Sequence, residues 1–190
     1  AAQEIDEGNF VLQNVDSSRN FVERNGGSLM IGCLVCTDSL KNTRALLTLS
    51  GTTKAIVQKG RNVTEGSYPL ALRSGKTLTF VPPIVSALEI DAALQENDTE
   101  IHELTKKIDS LQNGKEKTEL KKRRETLTDA SLSKVFNLYS FHCSDKNMRS
   151  LKEICAEQNL RTLPPTGTGE CCAIKLLDYA YANSLKPLSM

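Results

Sequence analysis

The stretch "IDAALQENDTEIHELTKKIDSLQNGKEKTELKKRRETLTDASLSK", residues 90–134, decides how the chain is organised. Ile90, Leu94, Asn97, Ile101, Leu104, Ile108 and Leu111 recur in it at steps of 4, 3, 4, 3, 4 and 3. Such steps keep one stripe of side chains on one side of a helix, the seam of a helix that packs against another helix. "QNGKEKT" breaks the pattern, and Gly114 is the expected C-terminal stop. A second helix is predicted over about 117–134 or beyond, with Leu120, Leu127 and Leu132 as its apolar points. Two long helices joined by a few residues make an antiparallel hairpin. Asn97 inside the seam either fixes its register or lies near a solvated end.

Working outward, "SLMIGCLVCTD" and "NTRALLTLSG" are short apolar runs rich in strand formers, separated by the turn residues of "DSLKN". They read as a β-hairpin. Both runs are apolar on both faces, as in a sheet covered on each side. "KTLTFVPP" is a further strand ended by Pro82 and Pro83, and residues 50–75 read as loop with room for one more strand. Beyond the helices, "FNLYSFHC" reads as a return strand, "NMRSLKEICAEQ" as a helix, and the last stretch as a loop followed by a helix. The expected fold class is α+β: a small mixed or antiparallel sheet packed with helices. One domain over 1–190 is expected, with a long antiparallel helical hairpin arm at about 86–136 inserted between strands.

Composition bounds the function. The chain has 190 residues, 39% of them hydrophobic, and a net charge of +1, so no global field draws it to nucleic acid and any such role rests on a local patch. A chain of this size buries roughly 70% of its unfolded surface without covalent staples. The six cysteines, at 33, 36, 143, 155, 171 and 172, are therefore read as reduced thiols. No apolar run approaches the ~20 residues that cross a bilayer, and the acidic start "AAQEIDEGNF" is unlike a secretory signal. A cytoplasmic protein without a membrane partner is expected. The sequons Asn62-Val63-Thr64 and Asn97-Asp98-Thr99 are set aside as chance matches.

Three features carry candidate chemistry. "KEKTELKKRRE" holds six Lys/Arg against three Glu, and an arm with a basic tip can lie along a phosphate backbone. Its candidate RNA contacts are Lys115, Lys117, Lys121, Lys122, Arg123 and Arg124. The plainer reading is a solvated face with Glu119 and Arg123 paired at i,i+4. No aromatic residue is interleaved, so base stacking is not expected. Cys33 and Cys36 have zinc-knuckle spacing, but on a strand they point to opposite faces, so no metal is expected. His102 is expected to face solvent, and His142 to be a core residue with one satisfied nitrogen. Third, "PPTGTGE" runs into a helix. Gly167, Gly169, Glu170, Cys171, Cys172 and Lys175 form a candidate anion-binding turn, because flexible backbone and unpaired N–H groups meet a positive helix terminus there. Glu170 as a cap competes with that use. An exposed Cys171 or Cys172 in the first turn has a lowered thiol pKa, whereas one packed inward does not. The P-loop and dinucleotide-binding endings are both missing.

"LPPTGTGECCAIKLLDYAYANSLKPLSM", preceded by "FVPP", a charged helical pair and "LYSFHCSDKNMRSLKEIC", resembles the N-terminal extension of bacterial RNA pseudouridine synthases of the RluA type. The likeness runs in the same order from about residue 27 to 190, and its final block is the specific part. It implies that the chain is a fragment of a longer protein, whose catalytic aspartate follows His-Arg-Leu in a domain beyond residue 190. Neither His102 nor His142 is followed by Arg-Leu-Asp, so no catalytic residue is carried over. The resemblance implies an accessory domain that helps hold structured ribosomal or transfer RNA, without a cofactor. Two other classes stand beside it. One is a zinc deaminase-like or other enzyme-like domain, against which Thr168, no zinc ligand, stands two residues before Glu170. The other is a protein-interaction module that uses the hairpin, self-association included.

Overall fold

The computed structural model describes residues 10–13, 30–51, 55–58, 67–71, 77–158, 164–165 and 167–190. The sequon at 62–64 and Thr166 of the proline-glycine turn lie outside them. The described residues are mixed α+β, and the chain divides into two compact units. One comprises Ala1–Ile84, Phe141–Met148 and Gly167–Met190, the other Val85–Ser140 and Arg149–Thr166.

The first unit is built on a five-stranded sheet. β1 (Phe10–Gln13) pairs with β4 (Ala55–Gln58) in a separate two-stranded sheet. β2 (Ile31–Thr37), β3 (Thr43–Leu49), β5 (Tyr68–Ala71), β6 (Thr77–Phe80) and β9 (Lys186–Ser189) run in the order β5-β6-β3-β2-β9. The expected hairpin is present, with Leu34 opposite Leu46 and Thr37 opposite Thr43. Its turn is tied by the Asp38 carboxylate, which accepts from the Leu40 and Asn42 backbone N–H groups and from Arg44. These hydrogen bonds hold the Asp38 carboxyl below its ordinary pKa, Asn42 contributing most. β6 runs parallel to β3, which makes the sheet mixed. Residues 46–49 of β3 are all buried, as a strand covered on both faces requires.

Helix α4 (Cys172–Ala182) covers one of those faces. Leu176 and Ala180, both fully buried, pack with Leu34, Cys36, Leu46 and Val81. A leucine buried to that degree stabilises by about 2 kcal/mol. After α4 the chain turns at Ser184, φ 54°, and the Leu185 N–H donates to Ala180 O at 2.8 Å. Leu185 packs on the same core, and residues 186–189 then add β9 to the free edge of β2. Pro187 is tolerated there because an outer strand need not donate every backbone N–H.

The second unit holds three helices: α1 (Ala87–Ser110), α2 (Lys115–Phe136) and α3 (Leu151–Glu157). α1 and α3 start on capping boxes. Ser86 and Ser150 accept from the N–H groups of Glu89 and Glu153, whose carboxylates accept in return from the serine N–H groups. α1 ends at Ser110 with Leu111 as its C-cap, ahead of Gly114, which instead occupies the N-cap position of α2 in extended backbone. α2 starts at Lys115, two residues before the expected position, and runs through Phe136 as the expected extent allows, so the return strand read from "FNLYSFHC" is only β7 (Ser140–His142). β7 and β8 (Met148–Ser150) form a short two-stranded ribbon.

α1 and α2 lie antiparallel. Lys117 Nζ donates to Leu111 O at one end, and Asn97 Nδ2 donates to Ser131 Oγ at 3.0 Å further along. No seam position from Ile90 to Leu111 is exposed. On α2 the corresponding stripe is Lys117, Leu120, Arg124, Leu127 and Ser131, more polar than the leucines alone foretold. Asn97 is half-buried and bonded across to a serine only 3% exposed, so the register role, rather than a solvated end, describes it.

Candidate functional site

The basic run sits on the first half of α2, and the six candidate side chains there do different things. Lys115, Lys121 and Lys122 are exposed, and among the described residues no carboxylate pairs with them. Lys117 is half-buried and caps the C-terminal carbonyl of α1 at 2.8 Å. Arg124 is half-buried on the seam. Arg123 is exposed but pairs with Glu100 of α1, Nη2 to Oε1 at 2.5 Å. The i,i+4 pairing with Glu119 is therefore replaced by a contact across the helices, because the antiparallel packing brings Glu100 within reach. Such an exposed pair is worth only about 0.2–1 kcal/mol. Lys134 likewise pairs with Glu96 across the helices. The antiparallel arrangement brings Lys106 and Lys107, exposed near the end of α1, to the same end of the pair as the α2 cluster. Their part was not legible in the α2 run alone.

The terminal turn belongs to the first unit and is folded around its own lysine. Gly167 and Gly169 take φ of 85° and 102°, a region in which a side chain is strained. Their conformation lets Glu170 N–H close the turn on Gly167 O at 3.0 Å, while Glu170 O accepts from Gly51 N–H at 3.1 Å. Lys175, one turn into α4, is 0% exposed. Its ammonium donates to Leu49 O at 2.9 Å and to Gly51 O, and lies 3.3 Å from the Glu170 carboxylate. The ammonium is thus held by two backbone carbonyls and by an ion-pair contact with the Glu170 carboxylate. Burial pushes the Lys175 pKa below its ordinary value, and the Glu170 charge only partly opposes the shift.

Cys171 and Cys172 divide by exposure. Cys171 is exposed at the N-cap of α4 and makes no side-chain cap. Cys172 is buried, its thiol directed at Met30 O at 3.3 Å, and burial raises its pKa in spite of the helix terminus and Lys175. Desolvation outweighs the helix field because the thiol has left water. A Cβ on Gly32 would stand 2.4 Å from the Cys172 Cβ, so this crossing of α4 over β2 requires glycine. Gly167 is exposed and Gly169 buried, so the turn brings together the residues read as an anion site but directs Lys175 inward.

The remaining candidates resolve simply. Cys33 is exposed and Cys36 buried, on opposite faces of β2. Burial, with Cys33 nearby, raises the Cys36 pKa. His102 is exposed beside Asp98. His142 is half-buried, with Nδ1 2.9 Å from Asp178 Oδ1, and that carboxylate also accepts the His142 backbone N–H at 2.7 Å. Among the described residues no group of three or more His, Cys, Asp or Glu is placed to hold a metal, and no helix is long and apolar enough to cross a membrane. Comparison with protein-family models, curated proteins and solved structures returned no match.

Proposed function

We propose that this chain is the accessory N-terminal region of an RluA-type RNA pseudouridine synthase, and that α1 and α2 act as an inserted arm that helps hold structured ribosomal or transfer RNA. Uridine isomerisation would belong to a catalytic domain outside the sequence. The observation that carries the reading is the gathering of exposed, unpaired lysines, Lys115, Lys121 and Lys122 with Lys106 and Lys107, at one end of the helix pair. Exposed ammonium groups on a helix are suited to phosphate oxygens, and they bind without base recognition. From Gly167 on, the block on which the resemblance rests is part of the packed first unit. Its Glu170, Cys172, Lys175 and Leu176 are all buried, and its Leu185-Lys186-Pro187-Leu188 forms the passage into β9. That stretch is therefore constrained by packing, and no anion is needed to explain its residue types.

The test is fluorescence anisotropy with a labelled ribosomal RNA fragment between 50 and 200 mM salt. About four phosphate contacts would weaken binding on the order of a hundredfold across that range. Replacing Lys115, Lys121 and Lys122 together by Glu abolishes micromolar binding if they hold the RNA. Unchanged affinity in that variant refutes the role of the arm. Arg123 and Arg124 are kept, since the pairing of Arg123 with Glu100 and the partial burial of Arg124 would confound the reading.

A further inference from the structure

The helix pair is electrically polarised along its length. Residues 105–124, at the end where α1 turns into α2, hold eight Lys/Arg and three Asp/Glu, a net of +5. The rest of the two helices, residues 87–104 and 125–136, hold eight Asp/Glu and one Lys, a net of −7. The hydrogen bonds Lys117 to Leu111 and Asn97 to Ser131 set the levels at which the helices face one another. By those levels the positive segments of both helices share one end and the negative segments share the other. The separation is a property of the packed pair.

We propose that RNA meets this pair end-on: closely spaced phosphates of a folded RNA are held at the α1–α2 turn, and the acidic half keeps the RNA from lying alongside. The inference rests on the RNA-holding reading above and specifies its geometry. Asp91 and Lys106 are separated by roughly 22 Å at 1.5 Å per residue, which is nearly three Debye lengths at about 0.15 M salt. Phosphates held at the basic end are therefore screened from Asp91, whereas phosphates running along the pair would pass Asp91, Glu96, Asp98, Glu103, Glu125 and Asp129 in turn. Residues 105–124 contain no aromatic side chain, so the end grips phosphate and does not stack on bases.

The experiment adds cations where end-on binding has no use for them. Ala92 and Gln95 are exposed on α1, fourteen and eleven residues before Lys106 and on nearly the same side of the helix. The full chain carrying Ala92→Lys and Gln95→Lys is titrated with a labelled, folded ribosomal RNA fragment at several salt concentrations, beside Lys106→Gln/Lys107→Gln. Circular dichroism melts confirm that both variants fold. End-on contact leaves the salt slope and affinity of A92K/Q95K within about twofold of wild type, and K106Q/K107Q lowers the slope by about 1–2. A slope steeper by about 2 in A92K/Q95K, with tighter binding, overturns the end-on geometry and leaves the RNA reading in place. An unchanged slope in K106Q/K107Q also overturns it. Failure of the wild-type chain to bind RNA at low salt overturns both.

Discussion

Lys175→Met separates a packed lysine from a wired one. Methionine keeps most of the buried, unbranched stem of Lys175, so the loss is confined to the ammonium. Its removal takes a hydrogen-bond donor from Leu49 O and Gly51 O and the cation from beside Glu170, itself 8% exposed. Breaking a buried pair from one side costs about 3–5 kcal/mol, because the remaining charge stays out of water. For a chain of 190 residues that lowers Tm by roughly 6–20 °C. Urea titration followed by far-ultraviolet circular dichroism reads the cost as a fall in midpoint at constant slope. Adding Glu170→Gln to the same chain recovers at least about 1 kcal/mol relative to the sum of the two single losses. The pH dependence has a defined sign. The unfolded chain keeps the lysine proton up to its ordinary pKa of 10.5, and the folded chain releases it at a lower pH. Between those two values the unfolded state binds more protons, so the Lys175 contribution rises with pH, and it is absent from K175M. A K175M chain within about 0.5 kcal/mol of wild type would refute the internal-clamp account of the turn.

Three further outcomes are expected. Gly32→Ala forces a Cβ to 2.4 Å from the Cys172 Cβ and 3.1 Å from Leu176 Cδ1, and costs about 1–3 kcal/mol by overpacking; a neutral melt contradicts the close crossing of α4 over β2. Asn97→Ala strips the partner from the buried Ser131 hydroxyl and destabilises the helix pair by about 1–3 kcal/mol; Asn97→Ala with Ser131→Ala should cost less than the two single changes added together. Iodoacetamide labelling of the native chain, read by mass spectrometry, modifies Cys33 and Cys171 first, with Cys36 and Cys172 at least about tenfold slower. Equal rates at Cys171 and Cys172 contradict the burial that separates them.

The local periodicities determined much of this protein. The 4-3 spacing from Ile90 to Leu111 announced a helix with a helical partner, and the two apolar runs around Asp38 announced a hairpin, because helix and strand repeats are imposed by backbone geometry alone. Ser86 and Ser150, each followed three residues later by Glu, also announced two helix starts, a signal in the sequence that the seam overshadowed. Other features existed only once the chain had folded. "KPLS" has no strand signature, and β9 forms because the left-handed turn at Ser184 and the seating of Leu185 deliver those residues to the free edge of β2. Lys175 beside a helix N-terminus reads as an anion ligand, yet the acceptors that take it, Leu49 O and Gly51 O, lie more than a hundred residues earlier. The exposed lysines were visible by composition, but Arg123 was drawn to Glu100 and Lys106 to the same end as Lys121 only by antiparallel packing. A sequence fixes what each residue can do over a few turns of backbone; the tertiary structure decides which distant carbonyl, carboxylate or cation stands opposite, and that partner determines whether a charge is spent inside the protein or offered outside it.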